Sequence, residues 1–254
     1  MILVVDVGNT NTVLGVYNGD TLVRSWRIQT QRGRTSDEHG VMLGDLLGYG
    51  QVERSAIAGT IISSVVPPME HTWTKTTQVY LGHTPLVVGK TADPQMPILY
   101  ENPVEVGADR LVNAVAAWER HHTALVIVDF GTATTFDAIS DKGEYLGGAI
   151  APGVTVASEA LYQAASKLPR VEIARPRDVI GTTTVDAIQS GLLYGYTGLV
   201  NEIVGRMKVR LGDNTTVVAT GGLARFIAGE THCIDEVDDL LTLEGLRLIY
   251  LRNT

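Results

Sequence analysis

Both halves of the chain open the same way: an apolar run, a polar turn containing glycine, then alternating apolar and polar residues. Residues 4–12 read Val-Val-Asp-Val-Gly-Asn-Thr-Asn-Thr, and residues 127–135 read Ile-Val-Asp-Phe-Gly-Thr-Ala-Thr-Thr. Asp6 aligns with Asp129, Gly8 with Gly131 and Thr12 with Thr135, at an offset of 129 − 6 = 123. The same offset carries Asn18-Gly19 onto Asp141-Lys142, beside Gly143. The pattern predicts a strand, a turn, a second strand and a hairpin turn in each half.

The remaining elements run in parallel. In the first half, 21–29 reads as a third strand. Thr35 opens a helix with Glu38 placed to complete a capping box, and Met42, Leu43, Leu46 and Leu47 follow at helical spacing. A strand over 56–63, a helix from Pro67-Pro68 to about 80 and a short strand over 86–88 come next. An Ala- and Val-rich helix covers 111–118. In the second half, strands are expected over 125–129, 134–139, 145–150 and 216–219. Helices are expected after Pro152-Gly153, over 185–211 and over 240–251. Gly191, Gly195, Gly198 and Gly205 fall on one face of the long helix, which suits close packing on another helix across a subunit contact. Strands followed by helices, twice, predict an α/β chain of two similar halves, 1–115 and 116–254, with a cleft between them.

Composition narrows the partners. Twenty basic against 28 acidic residues give a net charge of −8, a poor field for nucleic acid. Arg24, Arg27, Arg32 and Arg34 form one basic cluster, read as a solvated strand end and loop. No apolar run reaches the ~18 residues of a membrane span, and the first residues read as a strand rather than a signal peptide. Cys233 is the single cysteine, which excludes an intrachain disulfide and fits a reducing cytoplasm. The six histidines show no zinc spacing.

The two turns carry chemistry. Gly8 lets the backbone turn tightly and approach a ligand, while Asn9, Thr10, Asn11 and Thr12 offer amides and hydroxyls to phosphate oxygens. Asp6 at the strand end can hold a hydrated Mg²⁺. The turn after Asp129 repeats these features, so two such turns can grip one nucleotide. A third element, Ala219-Thr220-Gly221-Gly222-Leu223-Ala224, brings backbone through two glycines into a helix. Asp109 and Arg110 stand side by side at the start of a helix. Arg110 can pair with a substrate carboxylate and Asp109 can accept a hydroxyl proton; a helix-cap Asp beside a surface ion pair is the plainer alternative.

The three elements on a duplicated frame resemble the phosphate-1, phosphate-2 and adenosine motifs of the acetate kinase/sugar kinase/Hsp70/actin superfamily. Within it the sequence resembles type III pantothenate kinases. The matching stretches are DVGNTNT (6–12), ISSVVP (62–67), NPVEVGADR (102–110), DFGTATTFD (129–137), GGAIAPG (147–153), KLPRV (167–171), GTTTVDAIQSG (181–191) and TGGLA (220–224). DFGTATTFD together with GADR is specific to that family, whereas DxGNT alone is not.

The resemblance implies a duplicated ribonuclease H-like, actin-like ATPase fold. It implies ATP contacts at Asp6, Val7, Gly8, Asn9, Thr10, Asn11, Thr12, Val13 and Thr132, with Mg²⁺ near Asp6. It implies pantothenate contacts at Tyr100, Gly107, Ala108, Asp109, Arg110 and Thr184, with Asp109 as catalytic base. Asp129 is implied to bind a monovalent cation, K⁺ or NH₄⁺. A cytoplasmic homodimer that phosphorylates pantothenate at the head of coenzyme A synthesis is the expected whole. The rivals are the same cleft acting on another hydroxy acid or sugar, a nucleotide-binding regulatory accessory factor without kinase activity, and an actin-like filament protein.

Overall fold

A computed structural model describes residues 1–254. The chain divides into two compact units, one formed by 1–119 with 240–254 and the other by 120–239.

The first unit holds strands β1 (Ile2–Val7), β2 (Asn11–Asn18), β3 (Thr21–Gln29), β4 (Gly59–Ser64) and β5 (Leu86–Val87). Its helices are α1 (Ser36–Tyr49), α2 (Pro67–Tyr80) and α3 (Ala108–His121), whose last two residues fall in the second unit. The sheet order is β3-β2-β1-β4-β5, with β1 and β2 antiparallel and β1 and β4 parallel. The apolar alternation of β1 and β2 drives Leu3, Val5, Val7, Leu14 and Val16 into one core with Leu43, Leu47, Met69 and Trp73 from α1 and α2. The capping box starts α1: Glu38 N–H donates to Thr35 Oγ1 at 3.3 Å, and Thr35 N–H donates to Glu38 Oε2 at 2.7 Å. Two prolines at the first positions of α2 supply a preset φ and need no hydrogen-bond donor there.

The second unit repeats the plan. Its strands are β6 (Leu125–Phe130), β7 (Ala133–Ile139), β8 (Tyr145–Pro152), β9 (Thr216–Thr220) and β10 (Glu236–Val237). Its helices are α4 (Val154–Ala164), α5 (Thr184–Leu211) and α6 (Ala224–Ala228). The order β10-β9-β6-β7-β8 is the first sheet read from its other edge. Val126, Val128, Phe130 and Phe136 meet Leu193, Val200 and Val204 of α5 in its core. The glycine face of α5 is open: a methyl group built on Gly191, Gly195, Gly198 or Gly205 meets nothing within 4 Å.

The pairing corrects the repeat alignment. Val7 pairs with Thr12, and Phe130 pairs with Thr134. The partner of Thr12 in the duplication is therefore Thr134, not Thr135. The reason is turn length: Gly8 N–H donates to Asn11 O, whereas Gly131 N–H closes on Ala133 O, one residue sooner. With that shift even the irregularities coincide. A register break between Val16 and Tyr17 matches one between Ala138 and Ile139.

The expected halves 1–115 and 116–254 differ from the compact units in two places: the first unit runs on to Glu119, and it takes back 240–254. The terminal helix α7 (Leu241–Arg252) packs on β1, β2 and β4 of the first unit. Leu241, Leu243, Leu246 and Ile249 are all buried. Two glycines open the path: a methyl group on Gly15 would stand 3.2 Å from Leu243 Cδ1, and one on Gly245 would run into the Val112 carbonyl of α3.

Candidate active site

The turn after β1 is built from the neighbouring strand end. Gly8 N–H donates to Asn11 O at 3.0 Å, Thr30 Oγ1 donates to Gly8 O at 2.8 Å, and Thr30 N–H donates to Thr10 O at 2.9 Å. Asn9 and Thr10 are exposed, Asp6, Gly8, Asn11 and Val13 are half-buried, and Val7 and Thr12 are buried. Thr12 shares a hydrogen bond of 2.9 Å with Thr30. Val7 and Thr12 thus spend their side chains on the core and the turn, and only their backbone remains for a ligand. Arg32 Nη2 donates to Asn9 Oδ1 at 3.0 Å. The basic cluster read as solvated surface therefore puts one guanidinium on the turn after β1. Composition alone could not say which of the four arginines folds back to residue 9.

The turn after β6 is backed by two other glycine elements of its own unit. Gly153 N–H donates to Thr132 O at 3.1 Å. A methyl group on Gly153 would stand 2.5 Å from Gly131 O, so only glycine lets this segment lie on the turn. Gly221 has φ +93, and a methyl group there would stand 2.5 Å from Asp129 Oδ1. The second and third motifs thus form one surface, with Asp129 against the glycine turn and Thr132 exposed. Asp129 pairs in register with Thr135 on one side and Thr220 on the other. Directly opposite residues share a face of the sheet, so a carboxylate and two hydroxyls are neighbours there. An all-oxygen set of that kind suits a hard cation. No group of three or more histidine, cysteine or acidic side chains is gathered as a metal site. A cation at Asp6 or Asp129 would need hydroxyl, carbonyl, phosphate or water oxygens as well.

The NPVEVGADR stretch (102–110) stands in the first unit. Pro103–Glu105 makes a single 3₁₀ turn, after which Gly107 leads into α3. Arg110 N–H donates to Asp109 Oδ1 at 2.8 Å. A methyl group on Gly107 would come within 2.6 Å of that oxygen. Glycine at 107 therefore lets the carboxylate curl back over the first turn of the helix. Burial pushes the Asp109 carboxyl above the usual carboxylate range, opposed by the Arg110 backbone hydrogen bond and the Arg110 charge. Asp109 is half-buried by surface area, and Arg110 is buried. Burial, rather than open solvent, is therefore the setting of the Arg110 side chain beside Asp109. Ala108 opens the helix, and Tyr100 is half-buried in the preceding segment of the same unit.

Thr184 lies in the second unit as the first residue of α5 and is exposed. Its setting is held by hydrogen bonds. Thr183 caps the helix by accepting from Asp186 N–H at 3.1 Å, and Asp186 accepts from Thr183 Oγ1 and from Arg177 Nη2 at 2.7 and 2.5 Å. A cavity of about 530 Å³ lies beside it, lined by Leu161, Leu168, Thr183, Thr184, Ile188 and Gly191. A larger groove of about 820 Å³ runs between β3 and α1 and touches none of the motif residues. Size alone is a poor guide to the chemistry here.

A family model described as type III pantothenate kinase matches residues 2–206. A type III pantothenate kinase of Myxococcus xanthus is 54% identical over 253 residues, covering 100% of this chain and 99% of the relative. One from Syntrophotalea carbinolica is 56% identical with the same coverage. Among solved structures, an inorganic polyphosphate/ATP-glucomannokinase from Arthrobacter sp. strain KM superposes with a TM-score of 0.51 at 11% identity, over 99% of this chain and 97% of that one. A chain described as a Baf family transcriptional activator from Campylobacter jejuni superposes with a TM-score of 0.62 at 19% identity, over 99% and 98%. At such identities the superpositions show the two-unit actin-like fold and nothing finer. The full-length sequence similarity decides the rest: this chain belongs to the type III pantothenate kinase family.

Proposed function

We propose that the chain transfers the γ-phosphoryl group of ATP to the primary hydroxyl of pantothenate, giving 4′-phosphopantothenate, the first step of coenzyme A biosynthesis. Full-length identity above 50% to type III pantothenate kinases carries this reading. Asp109 is the base. An ordinary carboxylate is a weak base for an alcohol, and desolvation makes this one stronger. It orients the acceptor hydroxyl and takes its proton late, as a loose phosphoryl-transfer transition state permits. Arg110 meets the pantothenate carboxylate, Gly107 and Ala108 bring backbone to the acceptor, and Tyr100 and Thr184 add hydroxyl groups to it.

ATP is held by backbone and side chains of the Asp6–Val13 turn and by Thr132. Asn9, Thr10 and Asn11 donate from their side chains or amides, while Val7, Thr12 and Val13 act through the backbone. Arg32, bonded to Asn9, adds positive charge beside the phosphates. The family uses a divalent ion with ATP; when bound it neutralises phosphate charge, and Asp6 would hold it through its water shell. Asp129 with its neighbouring hydroxyls would hold K⁺ or NH₄⁺. The open glycine face of α5 suits contact with a second copy in a cytoplasmic homodimer. No helix is long and apolar enough to cross a membrane.

Asp109→Asn keeps the size and removes the base. It should lower kcat by roughly 10²-fold or more, with the KM for ATP little changed. A kcat near that of the wild type would remove Asp109 from this role.

A further inference from the structure

The duplication supplies an internal comparison for a buried acid that the proposed mechanism leaves unused. Asp137 on β7 is fully buried. Tyr145 Oη donates to its Oδ1 at 2.6 Å, and Thr135 Oγ1 donates to its Oδ2 across 3.4 Å, long for such a bond. Val4 pairs with Gly15 in the first unit, and Ile127 pairs with Asp137 in the second. Tyr17 pairs with Leu22, and Ile139 pairs with Tyr145. The row Asp6, Val13, Gly15, Leu22 of one unit therefore corresponds to the row Asp129, Thr135, Asp137, Tyr145 of the other.

In the first unit the row turns apolar immediately after Asp6. A methyl group on Gly15 would stand 3.0 Å from Val4 Cγ2 and 3.2 Å from Leu22 Cδ1. The same strand arrangement thus forms without a charge at this place. Burying a carboxylate is costly unless its oxygens are met; the buried Tyr145 hydroxyl meets Oδ1, and the position of Asp137 gives its other oxygen a role. Thr135 and Asp137 are two apart on one strand and share a face, and Thr135 is directly opposite Asp129. A hydroxyl has one proton. With that proton turned to Asp137, the Thr135 oxygen offers only lone pairs toward Asp129.

We infer that Asp137 is a positioning residue: it turns the Thr135 hydroxyl so that its lone pairs join the Asp129 carboxylate in an oxygen site for a monovalent cation. This rests on the reading of Asp129 as a cation ligand. Tyr145 fixes the other carboxyl oxygen, so it supports the same arrangement more weakly.

Wild type, Asp137→Asn and Tyr145→Phe are titrated with KCl at constant ionic strength, with N-methylglucamine chloride as the balance. Two quantities are read: the K⁺-dependent rise in Tm without substrates, and the K⁺ half-saturation of pantothenate phosphorylation. Asp137→Asn should need at least about tenfold more K⁺ in both, because its amide donates to Thr135 and turns that proton toward Asp129. The shift should exceed the fall in kcat at saturating K⁺. Tyr145→Phe should shift both by about threefold, midway on a logarithmic scale, and decides the matter if Asp137→Asn does not fold. A variant that melts lower but keeps the wild-type K⁺ dependence in both readouts overturns the inference. A wild type indifferent to K⁺ in both overturns it too; if that protein is active, the kinase reading survives.

Discussion

The carboxylate of Asp129 lies so close to Gly221 that a methyl group on the glycine would stand 2.5 Å from Oδ1. The two residues come from different motifs, and the parallel pairing of β6 with β9 brings them together. Gly221→Ala adds that clash to a strained backbone, since φ is +93. The strain alone costs about 1–3 kcal/mol. Gly221→Ala should melt lower and lose most activity, whereas Gly222→Ala, with nothing within 4 Å, should melt close to the wild type. Thermal melts of the two variants side by side check this, and equal stabilities would contradict it.

Asp109 should work against folding at neutral pH. Burial raises its folded-state pKa above 3.8, so the folded chain holds the proton to higher pH than the unfolded chain. The stability this contributes is complete below about pH 3.8 and is lost as pH rises through the folded value. Asp109→Asn cannot ionise and escapes that loss. The variant's stability relative to wild type should therefore rise with pH and then level off. Urea denaturation of both proteins across the acid-to-neutral range measures it. A variant that becomes relatively less stable as pH rises would reverse the sign.

Arg32 is exposed and bonded to Asn9 on the first turn. An exposed charge contributes up to about 1 kcal/mol. Arg32→Ala should raise the KM for ATP by about fivefold at low salt and leave the KM for pantothenate unchanged. Raising ionic strength should shrink the difference. An equal effect on both substrates would place the residue elsewhere in the mechanism.

Two changes away from the turns should touch stability alone. Thr35→Ala removes the N-cap of α1 and should cost about 1 kcal/mol. Leu246→Ala on α7 opens a cavity in the first unit and should cost about 2–5 kcal/mol. Calorimetry reads both, with activity per folded molecule unchanged at low temperature.

Most of the fold was legible because its strands and helices are announced by local signals. The capping box at Thr35, the prolines at 67 and 68 and the alternation around Asp6 and Asp129 each act within a few residues. What the local signals do not carry lies in relations between distant residues. A one-residue difference in turn length moved the counterpart of Thr12 from Thr135 to Thr134. The last helix read as part of the second half, yet the space above Gly15 and the fit of Gly245 on Val112 seat it in the first unit. At the candidate site, residue types marked Asp109 and Asp129, but the desolvation of one and the Gly221 contact of the other belong to tertiary packing. Arg32 and Asp137 carried no such mark: one was a member of a basic cluster, the other the end of a motif.

The central claim concerns a product, and mass spectrometry of that product tests it most directly. Purified protein is incubated with ATP, Mg²⁺, K⁺ and pantothenate, and the small molecules are analysed. The account predicts pantothenate carrying one added phosphoryl group at its primary hydroxyl, formed in step with ADP and lost in Asp109→Asn. ADP formation without phosphopantothenate, or no turnover with any monovalent cation, would contradict it.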